Sequence, residues 1–386
     1  MSTRSADAQP KRRYMTLATL PQVPSRLGQG LLRLLRRALP FPGGWARAFG
    51  KAVPAGCYTS ARYLRRPESL CFSGDGELLA VSNSAGASVG VFGVEIPVGG
   101  LPAITLREIV CDGSVLEYAH GATFVQGDGF LLCVGEHSQA LSTIRLSRQT
   151  EAGPGPRVLW SQCGCDNGLD NPADIAMHPS GDWCVVANRK FTGLSFFSLP
   201  ESLEDKAPAF RTNVDVGVLN QRGIAAPHGV GFSATGERMF VTHKRFTGWG
   251  YRGGAGRSGV SVWNVAQGYP SAPEDLLAFE DYEDAHLHHV ACHPRLPYVA
   301  VSNSRGNAEV LYWDESRRKL YRVDSIDVFR IGEGAKGVAF TPDGHFIALS
   351  TELAEVLFFP FRLDGHHDLM PRDGEVSPAT TSERPV

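Results

Sequence analysis

Residues 228–243 read HGVGFSATGERMFVTH: a polar residue, a short apolar strand, a glycine-bearing turn, a second apolar strand and a polar end. Alternating apolar positions on either side of a turn are the signature of a β-hairpin. The same grammar recurs as ESLCFSGDGELLAVSN from Glu68, HGATFVQGDGFLLCVGE from His120, ADIAMHPSGDWCVVAN from Ala173, HHVACHPRLPYVAVSN from His288 and KGVAFTPDGHFIALST from Lys336. Successive copies begin 52, 53, 55, 60 and 48 residues apart. In each, the first residue leads to the end of the second strand, at Asn83, Glu136, Asn188, His243, Asn303 and Thr351. That span is 15 residues in five copies and 16 in the copy at His120. A period near fifty residues marks a repeat architecture whose units bury their apolar faces only against one another.

Each copy continues into a third strand (SVGVFGV, LSTIRLS, LSFFSLP, VSVWNVA, EVLYWDE and EVLFFPF), and five have a fourth, such as ITLREIV and YRVDSIDVF. Four short antiparallel strands make a propeller blade, and radial repetition protects the sheet edges. The expected fold is an all-β β-propeller of six four-stranded blades over residues 52–363. The last copy runs out of strand near Leu363, so its outer strand has to come from elsewhere, and the segment around residues 58–64 is available, which would join the chain's two ends in one blade. A seventh blade would have only residues 1–51 to draw on, and these lack strand patterning. A parallel β-helix is the other architecture with stacked strands, but its repeats are shorter.

Composition agrees. Hydrophobic residues make up 42% and charged residues 20% of 386, with 43 glycines and 25 prolines, the punctuation of many short strands. The net charge of −2 is unevenly spread: residues 1–51 hold ten Lys/Arg against Asp7 alone, +9, which leaves −11 on the remainder. An acidic body is a poor nucleic-acid binder, so no such partner is expected. Of eight cysteines, Cys71, Cys133, Cys184 and Cys292 fall inside strand patterns as small hydrophobes, and Cys163 and Cys165 match neither a redox pair nor a zinc knuckle. This points to a reducing, cytoplasmic location. No apolar run is long enough to span a membrane.

Residues 25–39 (SRLGQGLLRLLRRAL) read as an amphipathic helix, with Ser25 as N-cap and leucines at helical spacing. It suits docking to a protein partner or an anionic membrane surface, and an Arg-rich, acid-poor start also fits an organellar transit peptide. Residues 364–386 read as a disordered polar tail.

In a propeller, the loops that enter the innermost strand and leave the second strand share one face. The register therefore collects Glu68, His120, Asp174, His228, His288 and Lys336 around one mouth of the channel, with Asn83, Glu136, Asn188, His243 and Asn303 beside them. Strand periodicity does not require three histidines at equivalent positions. His120, His228 and His288, with Glu68 and Asp174, are the candidate catalytic residues, an imidazole acting as general base. A divalent metal held by the imidazoles and a carboxylate is the alternative. Since neighbouring strand residues face opposite ways, at most one of His288 and His289 is expected to point inward. His178 and His293, at turns on the opposite face, are read as structural.

The third and fourth copies share Arg189-Lys190-Phe191-Thr192-Gly193 and Lys244-Arg245-Phe246-Thr247-Gly248. Clustered cations suit a phosphate or carboxylate, unless nearby acids such as Asp281 pair with them. The substrate-binding set is thus Asn83, Glu136, Asn188, Arg189, His243, Lys244, Arg245, Asn303 and Lys336. Trp249 joins it, from the glycine-rich insertion of residues 249–257, which reads as a lid.

The units PHGVGFSATGERMFVTH, KGVAFTPDGHFIALST and PADIAMHPSGDWCVVAN resemble the YVTN/lactonase-like propellers, a superfamily that includes 6-phosphogluconolactonase-like proteins, over residues 68–363. No copy has the Trp-Asp and Gly-His dipeptides of WD40 repeats in register. Lactonases of this type usually have seven blades, and the six-bladed senescence-marker type holds a divalent metal with channel carboxylates and Asn. The resemblance implies a lactonase-like hydrolase or isomerase, with Glu68, Asp174 and Asn188 or Asn303 loosely in the metal-holding parts. The expectation is an enzyme acting on a small anionic molecule by hydrolysis, isomerisation or cyclisation. The competing expectations are a non-catalytic scaffold docked through the basic helix and a His-ligated metalloenzyme.

Overall fold

The computed structural model describes residues 56–59, 63–97, 102–147, 155–190, 193–245, 256–270, 275–282, 286–326, 334–352 and 354–361. The expected helix at 25–39, Trp249 and the polar tail at 364–386 lie outside them. Among the described residues no helix is long and apolar enough to cross a membrane.

Six four-stranded antiparallel sheets follow one another along the chain, as the repeat demands. Their innermost strands are β2 (Pro67–Phe72), β6 (Ala119–Val125), β10 (Pro172–Met177), β14 (Pro227–Phe232), β18 (Leu287–Cys292) and β22 (Ala335–Phe340). The ring closes through both ends of the chain. Strand β1 (Gly56–Thr59) pairs with β24 (Glu355–Pro360) as the outer strand of the sixth blade, in the register Gly56↔Phe358 to Thr59↔Glu355.

Alternation along each strand feeds the two faces of a blade into different cores. In strand β3 (Leu78–Asn83), Leu79 and Val81 pack with Ala348, Val356 and Phe358 of the sixth blade. Ala80, between them, packs with Leu131, Cys133 and Ile144 of the second. The largest buried side chains, among them Trp263, Phe92 and Phe358, lie in these inter-blade layers. Each fully buried aromatic of this kind contributes about 1.5–3 kcal/mol of apolar burial.

The structure corrects one detail of the repeat. The pairs that open the hairpins are Pro67↔Asn83, Ala119↔Gly135, Pro172↔Asn188, Pro227↔His243, Leu287↔Asn303 and Ala335↔Thr351. The second copy therefore ends its strand at Gly135, and Glu136 lies one residue beyond, so all six hairpins share one length. A side chain at Gly135 would fall 2.6 Å from the Val115 carbonyl oxygen, which explains why the copy looks one residue longer.

A β-bulge follows the opening pair in every inner strand, between Pro67/Ser69, Ala119/Ala122, Pro172/Asp174, Pro227/Val230, Leu287/Val290 and Ala335/Val338. Bulges re-aim side chains and leave backbone groups without ladder partners. Hydroxyls on the second strand take up those groups. Thr242 Oγ1 accepts from Gly229 N–H at 2.7 Å and donates to the His288 carbonyl of the next blade at 2.8 Å. Ser82 and Ser302 bridge to the carbonyls of His120 and Lys336, and Ser350 reaches that of Pro67 at 3.3 Å, carrying the pattern across the closure.

Candidate active site at the propeller axis

Glu68, His120, Ala173, His228, His288 and Lys336 stand at the six bulges, and the side chains of five of them, all but Ala173, meet one another. His120 and His288 come from the second and fifth blades, opposite one another in a six-membered ring, yet their rings stack with centroids 5.3 Å apart. His228 lies 4.2 Å from His288 and 5.2 Å from His120, centroid to centroid. Contacts between opposite blades require convergence on the axis. Glu68 Oε2 is 3.4 Å from His288 Nε2, 3.8 Å from His120 Nε2 and 3.5 Å from Lys336 Nζ. Glu68 Oε1 accepts from Ser84 Oγ at 3.0 Å.

The residues expected around the channel mouth form a buried layer: Glu68, His120, His228, His288 and Lys336 are all buried. Burial, reinforced by the surrounding cations, holds the three imidazoles well below the ordinary histidine range. Burial thus favours the neutral form of all three rings. Being neutral, each ring keeps one nitrogen lone pair for a proton or a metal.

The residue after each axial one forms a second set: Ser69, Gly121, Asp174, Gly229, His289 and Gly337. Here the bulge overturns the expectation that only one of His288 and His289 faces inward. The shift after Leu287 removes simple alternation, and both rings enter the layer, 5.1 Å apart. His289 Nδ1 lies 3.0 Å from Asp174 Oδ2, which also accepts from Val230 N–H at 2.9 Å. The contact spans from the third blade to the fifth. The blade between them has Gly229 at the equivalent position, where a Cβ would meet the His288 carbonyl oxygen at 2.5 Å and His289 Cα at 2.7 Å. Sequence reasoning missed His289. The available signal was a histidine where three other copies have glycine.

The residues one step past the second strand form a third set: Ser84, Glu136, Arg189, Lys244, Ser304 and Glu352. In five blades their backbone N–H groups make one repeated bond, to the carbonyls of Arg66, Tyr118, Asn171, Ala226 and His286. Arg189 donates to Glu136 Oε1 at 2.7 Å and to Asn171 Oδ1 at 3.1 Å. Glu136 Oε2 stands 3.6 Å from His120 Nε2, and burial pulls its carboxyl upward while the Arg189 guanidinium opposes that. Lys336 Nζ meets Glu352 at 2.8 Å. Burial, then repulsion from Lys336 and Arg189, pushes Lys244 down to about 7.

Four residues expected to bind substrate make hydrogen bonds to their own loops and strands. Asn83, Asn188 and Asn303 accept from the backbone N–H of Arg65, Asp170 and His286 at 3.0–3.2 Å, tying each incoming loop to the end of the second strand. His243 does so with Nδ1 against the Ala225 carbonyl at 2.8 Å and Nε2 against Ser261 Oγ at 2.6 Å. The Asn-containing metal set suggested by the family resemblance is therefore not assembled: Asn188 and Asn303 are committed to loops, and Asp174 faces His289. Arg245 is exposed, with its backbone N–H on Ser258 Oγ. Lys190 lies 3.9 Å from Asp170, and Asp281 pairs with Arg257 at 3.0 Å. His178 bonds Ser180 and Gly236 and stacks on Trp183 at 4.4 Å, and His293 Nδ1 accepts from Arg295 and Leu296, both structural as expected.

Fold and site together define the class: a six-bladed β-propeller with a buried, histidine-rich polar layer on its axis. No family model matches the chain, and no curated protein matches it. Among solved structures it is similar to hydrazine synthase of Kuenenia stuttgartiensis, at 15% identity and TM-score 0.49 over 76% of each chain. It is also similar to the WD40 repeats of RRP9, at 12% identity and TM-score 0.49, over 76% of this chain and 79% of that one. A protein assigned as a 6-phosphogluconolactonase, from Bacteroides fragilis, is similar at 13% identity and TM-score 0.45, over 66% and 68%.

Proposed function

We propose that the axial layer is the active site of an enzyme performing general acid–base chemistry on a small anionic molecule, with His289 as the base. The observation that carries this reading is the Asp174–His289 contact at 3.0 Å together with His289 Nε2, which is buried and makes no hydrogen bond. A carboxylate already fixed by a backbone amide holds the imidazole with Nδ1–H towards it, and the lone pair on Nε2 is then presented to a substrate proton. Asp174 is thus the positioning residue and His289 the catalytic one. Arg189 and Lys336 are already paired with Glu136 and Glu352, and Lys244, depressed mainly by burial and then by those two cations, is the group that a ligand's carboxylate, phosphate or developing oxyanion would meet. Hydrolysis of an ester or lactone, isomerisation and cyclisation all use these parts.

A panel of small carboxylates, phosphates, esters and lactones tests the reading on the full chain, scored by ligand-induced rise in Tm and then by turnover. At least one anionic member is expected to stabilise the wild type and to lose that effect in Lys244→Met. A flat response across the panel, or equal stabilisation of Lys244→Met, contradicts it.

A further inference from the structure

We infer that His120, His228 and His288, with Glu68, form a binding site for a divalent first-row transition metal ion on the propeller axis. The site goes beyond the acid–base reading and does not depend on it. The three imidazoles each offer a ring nitrogen, and these atoms all lie within 4.8 Å of one another. Glu68 Oε2 adds an oxygen 3.4 Å from His288 Nε2 and 3.8 Å from His120 Nε2. Metal–nitrogen bonds of about 2.0–2.1 Å place tetrahedral ligand atoms roughly 3.3 Å apart, so the carboxylate oxygen already stands near ligand spacing from two imidazoles.

Three further observations point to a ligand. Glu68 Oε2 is buried and makes no hydrogen bond, which is rare for a carboxylate oxygen away from water. His228 Nδ1 bonds the His288 carbonyl oxygen at 3.0 Å, which fixes its tautomer and presents Nε2, the outer-shell arrangement typical of ligating histidine. The donor chemistry is also specific: three neutral imidazoles and one carboxylate suit zinc, iron, cobalt, nickel or copper, whereas magnesium and calcium take oxygen ligands. Lys336, 3.5 Å from Glu68, limits affinity by its charge, and its tie to Glu352 at 2.8 Å holds it to one side.

The test is titration of the tag-free full chain, first dialysed against chelator, with Co²⁺ followed by visible absorption, and then with Zn²⁺ in competition. One equivalent of Co²⁺ is expected to develop d–d bands that Zn²⁺ abolishes. Glu68→Gln is expected to weaken binding by about 10–100-fold and His228→Gln by on the order of 100-fold, with circular dichroism unchanged. Less than a tenth of an equivalent bound, or wild-type affinity in both variants, overturns the site. Should either variant fail to fold, Lys336→Met decides: removing that charge is expected to tighten Co²⁺ binding, and unchanged affinity contradicts the assignment. Binding is read without turnover, so it can fail while the Asp174–His289 reading stands, and the reverse.

Discussion

Asp174 and His289 meet at 3.0 Å from blades that are not neighbours, beside a glycine of the blade that separates them. Three features of the chain produce that contact. The bulge after Leu287 turns His289 inward, the bulge after Pro172 does the same for Asp174, and Gly229 leaves the space.

Gly229→Ala tests the spacing. Its Cβ would fall within 2.7 Å of the His289 backbone and 2.5 Å of the His288 carbonyl, neither of which is a flexible side-chain end. A loss of about 1–3 kcal/mol is expected, with the inner strands forced apart at the axis. Denaturant unfolding measures it, and a wild-type midpoint would show that the strands can separate freely.

Asn188 ties an incoming loop to the end of its strand. Its side chain accepts from Asp170 N–H at 3.0 Å and donates to Gly168 and Gly193 carbonyls at 3.1 and 3.2 Å. Asn188→Ala leaves those buried groups unpaired and is expected to cost about 1–3 kcal/mol. Ligand affinity of the folded fraction should stay close to wild type. A variant of normal stability with lost ligand binding would restore the original assignment.

His243 gives the protein a defined acid sensitivity. Burial lowers it to about 4, while an unfolded-chain histidine titrates near 6.5. Above that upper value both states are neutral and the group contributes no pH dependence. Between the two values the unfolded state binds a proton that the folded state refuses, so stability falls with falling pH, by about 3 kcal/mol over the whole window. Chemical denaturation from pH 7 to pH 4 is expected to show a shallower decline in His243→Gln than in wild type. Parallel declines would mean that other groups carry the effect.

Closure of the ring rests on β1. Deleting residues 1–60 removes the partner of β24 and uncovers its edge, whereas deleting residues 1–51 leaves Gly56–Thr59 in place. The longer deletion is expected to have the lower Tm and a greater tendency to aggregate. Equal melting of the two would remove β1 from the account of closure.

The blades were legible in the sequence because a hairpin writes its turn and its alternation into consecutive residues. The axial residues Glu68, His120, His228, His288 and Lys336 were legible for the same reason: a constant register carries equivalent positions to one axis. Register alone could not show the bulges, which depend on how neighbouring inner strands fit together. Those bulges bring His289 inward, against strict alternation. On the exit side Asn83, Asn188, His243 and Asn303 bond their own loops, whereas Glu136, Arg189 and Lys244, which the sequence also singles out, reach the layer together with Glu352, which no repeat pattern marks.

Turnover of His289→Ala and Asp174→Asn against wild type, on whichever anionic substrate the panel yields, tests the central claim most directly. Losses on the order of 10²–10⁴ in kcat are expected for His289→Ala, with Asp174→Asn impaired in the same parameter and Tm within a few degrees of wild type. Wild-type kcat in a folded His289→Ala protein would contradict the account.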